Sequence, residues 1–97
     1  MKNRDVYDLS NPFIFYLEKI ANQTCPLLAS STDDILDLIE RIVQEGFKIP
    51  AGLTIDQTLV KAINFTNARL PSSLRIIYRP EGVFVTTVIY LELPVCQ

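Results

Sequence analysis

The sequence predicts a small α+β domain in which three helices are followed by a C-terminal antiparallel β-hairpin packed on the helices. Three observations support this fold class. Apolar residues recur at helical spacing in three segments, and each segment is preceded by a side chain that can cap a helix. The C-terminal part is instead rich in Val, Ile, Thr, Tyr and Phe around a Pro-Glu-Gly turn. The length of 97 residues fits one domain, residues 1–97, with Met1–Ser10 as an N-terminal arm.

The first predicted helix runs from Pro12 to about Gln23. Ser10 or Asn11 can accept hydrogen bonds from the free amides of the first turn. Proline suits the first helical position because its missing N–H would have no partner there. The Cys25-Pro26 pair ends the helix, since the residue before a proline is pushed out of the helical conformation.

The second predicted helix runs from Asp33 to Glu45, after Ser31 and Thr32 as capping residues. Gly46 can adopt the left-handed conformation that ends a helix, and Phe47 can fold back as its apolar contact. The buried face repeats every three or four residues. Its members are Ile35, Leu38, Ile39 and Ile42, with Leu36 and Val43 at the margins.

The third predicted helix runs from Ile55 to about Asn67. Thr54 and Gln57 have the spacing of a capping box, and Pro71 prevents continuation beyond Leu70. The residues expected on its buried face are Ile55, Leu59, Ala62, Ile63 and Thr66.

The predicted hairpin joins Leu74–Arg79 to Val83–Leu93 through a three-residue loop, Pro80-Glu81-Gly82. This loop sets a register in which Ile77 faces Val85 and Arg75 faces Thr87. The side expected to pack on the helices then carries Leu74, Ile76, Tyr78, Phe84, Val88 and Tyr90.

The opposite side of the hairpin is predicted to be an interface with another molecule, because large exposed apolar patches usually bind something. The second strand is also longer than the first, which leaves a free edge. We expect that edge to accept Val6–Leu9, Phe47–Ile49 or a strand of a second molecule. The predicted interface consists of Arg75, Ile77, Arg79, Val83, Val85, Ile89 and Leu91.

The composition argues against catalysis. Histidine is absent, which removes Ser–His and Cys–His nucleophile pairs, and two cysteines cannot build a four-ligand zinc site. We therefore predict no catalytic residue, no cofactor and no metal. The expected function is that of a small non-enzymatic interaction or regulatory protein, acting through its hairpin surface as a homo-oligomer or as an accessory subunit of a protein partner.

The alternative prediction is a nucleic-acid-binding protein that resembles a winged helix-turn-helix. One side of the third helix presents Gln57, Lys61, Asn64 and Asn67, residue types that contact bases and phosphates, and a hairpin follows it. Against this, the connection between the second and third helices is long for such a motif. The net charge is -2, and Asp56 lies at the start of the third helix. Both negative charges disfavour the binding of nucleic-acid phosphates.

Charge is distributed unevenly along the chain. The second helix carries five acidic residues against Arg41 alone, whereas residues 61–79 carry only basic charges. This pattern is typical either of a bipolar surface that orients a partner or of a solvated acidic helix whose charges pair with the hairpin. We favour the second interpretation.

The two cysteines, Cys25 and Cys96, are expected to be free thiols in a reducing compartment. The first ten residues lack the apolar segment of a signal peptide, and no apolar run is long enough to cross a bilayer. The sequence therefore predicts a cytoplasmic protein without a membrane partner.

Overall fold

The computed structural model describes residues 9–87. In that range the chain forms the helices α1 (Asn11–Ala21), α2 (Thr32–Gln44) and α3 (Ile55–Asn67) and the strands β1 (Leu27–Ala29), β2 (Leu74–Arg79) and β3 (Gly82–Thr87). The strands form an antiparallel sheet in the order β1-β3-β2. The predicted α+β class and the packing of the hairpin on helices are confirmed, with one additional strand.

All three helices begin with the capping residues that the sequence indicates. The Ser10 hydroxyl accepts a hydrogen bond from the Phe13 amide, so α1 begins one residue before Pro12. The helix α2 begins with a capping box between Ser31 and Asp34. The helix α3 begins with the predicted box between Thr54 and Gln57.

The helix α2 ends in the predicted glycine motif. Gly46 has a φ of 111° and donates to the Val43 carbonyl at 2.9 Å, while the Phe47 amide donates to the Ile42 carbonyl at 3.3 Å. These two bonds define a Schellman motif. The motif turns Phe47 into the core, where its ring centroid lies 5.5 Å from that of Phe65 on α3.

The strand β1 was not predicted. It pairs with β3 through Leu27 opposite Phe84 and Ala29 opposite Val83. The edge of β3 that we expected to be free is therefore occupied by this segment, and not by Phe47–Ile49. Three residues are too few to show a period of two, which is why the pattern did not indicate a strand here.

Gly82 permits this close approach of β1 to β3. Its φ is 147°, and a Cβ atom at this position would lie 2.5 Å from the Ala29 carbonyl oxygen. No real Cβ contact is that short, so a side chain here would push β1 away from the sheet.

The predicted hairpin register is wrong by one residue. Arg79 pairs directly with Gly82, so the connection has two residues, Pro80 and Glu81, instead of three. Ile77 consequently faces Phe84, and Ile76 faces Val85. A slip of one residue moves every side chain of a strand to the opposite face, because side chains alternate.

The slip reverses the predicted roles of the β3 side chains. Val83 and Val85 are fully buried in the main core, beside Leu74 and Ile76 as their strand neighbours. Phe84 lies on the other face and is nevertheless only 4% exposed. Both faces of β3 are covered, as is usual for a strand that is apolar on both sides.

The main core collects side chains from every helix and strand. On α3 the predicted face is buried except at its first position, since Ile55 is 44% exposed. The buried apolar residues of the core are Leu9, Phe13, Leu17, Ile20, Ala29, Leu38, Ile39, Ile42, Phe47, Leu59, Ala62, Ile63, Leu70, Leu74, Ile76, Val83 and Val85.

The expectation of two free thiols is wrong for Cys25, which is disulfide-bonded in the structure. Cys25 immediately precedes the buried Pro26, whose carbonyl accepts a hydrogen bond of 3.1 Å from the Val85 amide. Cys96 lies outside the described residues.

Candidate functional site

Only part of the predicted hairpin interface is available at the surface. Val83 and Val85 are 0% exposed and form part of the core, so their assignment to an outward face is corrected. The cause is the shifted register. Ile89 and Leu91 lie outside the described residues, and so do Val88 and Tyr90, which the sequence predicts on the core face.

The remaining members of that predicted interface differ in exposure. Arg79 is exposed, whereas Ile77 and Arg75 are half-buried. The Arg75 guanidinium donates to the carbonyl oxygens of Pro71 at 3.1 Å and Leu74 at 2.7 Å. Arg75 therefore supports the turn that precedes β2, and its charge is directed to the backbone instead of to a polar margin.

The predicted nucleic-acid face on α3 is partly assembled. Gln57, Lys61 and Asn64 are exposed, but Gln57 is engaged in the capping box with Thr54. Asn67 is half-buried, and its amide bonds the backbone of Ile76. Two of the four polar side chains thus have structural roles that compete with base contacts.

A pocket of about 300 Å³ opens between α1, β1 and α2. The sequence did not indicate it, because its lining comes from three separate segments and depends on β1. Its apolar wall combines Tyr16, Leu28 and Leu38, and its polar wall comes from α2. The complete lining is Tyr16, Leu28, Asp34, Asp37, Leu38 and Arg41.

Two of the three charged residues in this pocket have partners within the chain. The Asp34 carboxylate accepts the amides of Ser30 at 3.4 Å and Ser31 at 3.5 Å, as part of the cap of α2. Arg41 Nε lies 3.6 Å from a Glu45 carboxylate oxygen, a distance that makes an ion pair and is too long for a hydrogen bond.

Arg41 also joins α2 to α1. Its guanidinium carbon lies 4.9 Å from the centroid of the Phe13 ring, in a cation–π arrangement. The Glu45 carboxylate accepts the Ser10 amide at 2.6 Å and the Ser10 hydroxyl at 2.7 Å, at the start of α1. These contacts fix the separation of the two helices beside the pocket.

Within residues 9–87, the hydrogen-bond and ion-pair partners of the acidic helix do not lie on the basic hairpin. Glu45 forms an ion pair with Arg41 and accepts hydrogen bonds from Ser10, and Asp34 accepts hydrogen bonds within its own cap. Asp33, Asp37 and Glu40 are exposed. In the part of the chain that the structure describes, the solvent side of α2 is therefore an acidic surface that borders the pocket.

Another charged contact joins α3 to β2. The Tyr78 hydroxyl donates to the Asp56 carboxylate at 3.2 Å. Desolvation, the hydrogen bond and the negative charge of Asp56 together raise the pKa of Tyr78 above 10.0. The contact holds the Asp56 carboxylate beside the edge strand β2. It also keeps a negative charge at the start of α3.

Residues 9–87 hold no group of three or more His, Cys, Asp or Glu side chains arranged to bind a metal ion. No helix in this range is both long and apolar enough to cross a membrane.

Comparisons with protein-family models, with curated proteins and with solved structures found no significant match to this chain.

Proposed function

We propose that this protein is a small non-enzymatic interaction protein that binds a protein partner through the surface around the pocket between α1, β1 and α2. The observation that carries the proposal is the pocket itself, with an aromatic ring and a guanidinium at its border. Tyrosine and arginine are enriched at the energetically important positions of protein interfaces.

The exposure of Tyr16 supports this choice of surface. Tyr16 is 45% exposed, although it projects next to the buried face of α1. Leu28 beside it is half-buried. A side chain of a partner that entered the pocket would cover both residues, and the burial of such an anchor typically dominates binding.

The hairpin supports a partner-binding role less well than the sequence predicted. Two of its five apolar interface residues lie in the core of the chain, where a partner cannot reach them. The accessory or regulatory role is unchanged by this, but we assign it to the helical surface.

Photo-crosslinking in the native cells tests the proposal. A benzoylphenylalanine replaces Tyr16 in one variant and Val60 in a control, since Val60 on α3 is 44% exposed and lies outside the pocket. We expect a crosslinked partner from position 16, with loss of the product when Asp37→Arg is added. Equal crosslinking from position 60, or none from position 16, would contradict the proposal. A product with twice the mass of the chain would identify the partner as a second copy.

A second candidate function is nucleic-acid binding by a winged helix, and one observation favours it. The strand β1 lies between α1 and α2 in the chain and joins the hairpin sheet. The resulting order of helix, strand, helix, helix, strand and strand is that of a winged helix. Because a fold does not determine a function, this likeness supports a winged-helix architecture more than it supports nucleic-acid binding.

The charges oppose this second candidate. Asp56 lies in the first turn of α3, and α2 exposes an acidic face. A salt titration separates the two functions, because phosphate binding weakens steeply as salt rises. We expect no retention of duplex DNA or RNA at low salt. Tight binding that falls with salt, and that is lost in Lys61→Ala, would support the second candidate instead.

A further inference from the structure

We propose that the pocket between α1, β1 and α2 accepts a positively charged side chain, a lysine or an arginine, from the partner protein. This inference rests on the proposed function and specifies the chemistry of the partner.

Among residues 9–87, one carboxylate of the pocket has no hydrogen-bond or ion-pair partner. Asp34 is occupied with the cap of α2, and the charge of Arg41 is matched by Glu45. Asp37 is exposed and lines the pocket, and no hydrogen bond or ion pair joins it to another described residue. A cation that entered the pocket would find its counter-charge at Asp37.

The apolar wall suits the stem of such a side chain. Lysine and arginine bury their methylene groups along apolar surfaces while the charged end reaches a polar group. Leu28 and Leu38 supply the apolar surface, and Tyr16 supplies an aromatic ring of the kind that attracts cations. The volume of about 300 Å³ is sufficient for one such side chain.

The surroundings favour a basic partner over an acidic one. Asp33 and Glu40 are exposed on the same side of α2 as Asp37, at spacings of three or four residues. This acidic surface attracts a positively charged segment and repels phosphate or an acidic peptide.

A pair of small probes of the same shape tests the inference. The full chain, labelled with ¹⁵N, is titrated with n-butylguanidinium, and separately with n-butylurea, which is neutral. We expect the guanidinium to shift the amide signals of Tyr16, Leu28, Asp37 and Leu38, with an affinity about fivefold or more above that of the urea.

Two variants that remove the same charge give the matched control. Asp37→Asn should weaken guanidinium binding by about fivefold, the size of a favourable exposed ion pair. Asp33 lies one turn from Asp37 and outside the pocket, so it makes no direct ion pair with a cation bound there. Asp33→Asn should therefore weaken binding by less than about twofold.

Three results would overturn the inference. These are the absence of shifts at the pocket, equal affinity for the urea, and equal losses in the two variants, which would indicate only a general attraction to acidic residues. The proposed function is tested separately. If a partner crosslinks at position 16 and the guanidinium does not bind, the cationic anchor is wrong and the interaction surface stands.

Discussion

The side-chain amide of Asn67, at the end of α3, pairs with the backbone of Ile76 on β2. Asn67 Nδ2 donates to the Ile76 carbonyl oxygen at 3.0 Å, and the Ile76 amide donates to Asn67 Oδ1 at 2.8 Å. The strand β2 is at the edge of the sheet, so these groups face away from β3. Asn67 thus occupies part of the β2 edge with which a strand of another molecule could otherwise pair.

We predict that Asn67→Ala lowers the free energy of unfolding by about 1–3 kcal/mol, because it leaves two partly buried backbone groups without partners. The Ile76 amide should also exchange its hydrogen faster. Asn64→Ala is the control, since Asn64 is exposed on the same helix, and it should change stability by less than about 0.5 kcal/mol. Equal effects of the two substitutions in chemical denaturation would show that the amide pairing contributes nothing.

Gly82 is the second position at which a single substitution tests the sheet. Gly82→Ala should be more destabilising than Gly52→Ala, although both glycines have positive φ. Strain alone costs about 1–2 kcal/mol at either site. At Gly82 the new Cβ would also clash with the Ala29 carbonyl, whereas nothing lies within 4 Å at Gly52. Thermal unfolding of the two variants measures the difference, and equal losses would mean that β1 does not lie against Gly82.

The buried face of α3 allows a comparison between adjacent residues. Leu59 is 0% exposed and Val60 is 44% exposed. Leu59→Ala should cost about 2–5 kcal/mol, because it removes buried methyl groups and leaves a cavity. Val60→Ala should cost less than about 0.5 kcal/mol. Urea denaturation distinguishes them, and a small loss at Leu59 would place this face of α3 in solvent.

The Tyr78–Asp56 contact predicts a dependence on pH. The pKa of Tyr78 is raised above 10.0, so the folded state favours the neutral phenol. The resulting contribution to stability is present below pH 10 and is lost as the pH rises through the folded-state pKa. In a ¹³C-tyrosine NMR titration, Asp56→Asn should move this pKa back toward 10.0, because the negative charge is removed. Tyr78→Phe assigns the signal, and an unchanged pKa in Asp56→Asn would show that the two side chains are not in contact.

The helices were predictable because their signals are local. Ser31, Thr54 and Gly46 each specify a helix end within four residues of sequence, and all three act as expected. The hairpin register was not predictable in this way, since Gly82 is compatible both with a loop position and with the first strand position. In the structure Gly82 is the first residue of β3 and lies against β1, a contact between distant segments.

The candidate site was harder to predict from the sequence than the helices were. The polar side of α3 suggested four contact residues, but Gln57 and Asn67 bond groups within the chain. The pocket depends on Leu28, which lies on a strand of three residues, and on the spacing of α1 from α2. Such a site arises from tertiary packing, which periodicity along one segment does not report.

Hydrogen exchange of the chain, with and without the partner that crosslinking identifies, tests most directly whether the pocket surface binds the partner. It distinguishes the pocket, hairpin and α3 surfaces in one experiment. We predict that the partner slows exchange in residues 16–20 of α1, in β1 and in residues 34–41 of α2. Protection confined to residues 57–64 of α3 or to residues 75–82 of the hairpin would contradict the assignment of function to the pocket.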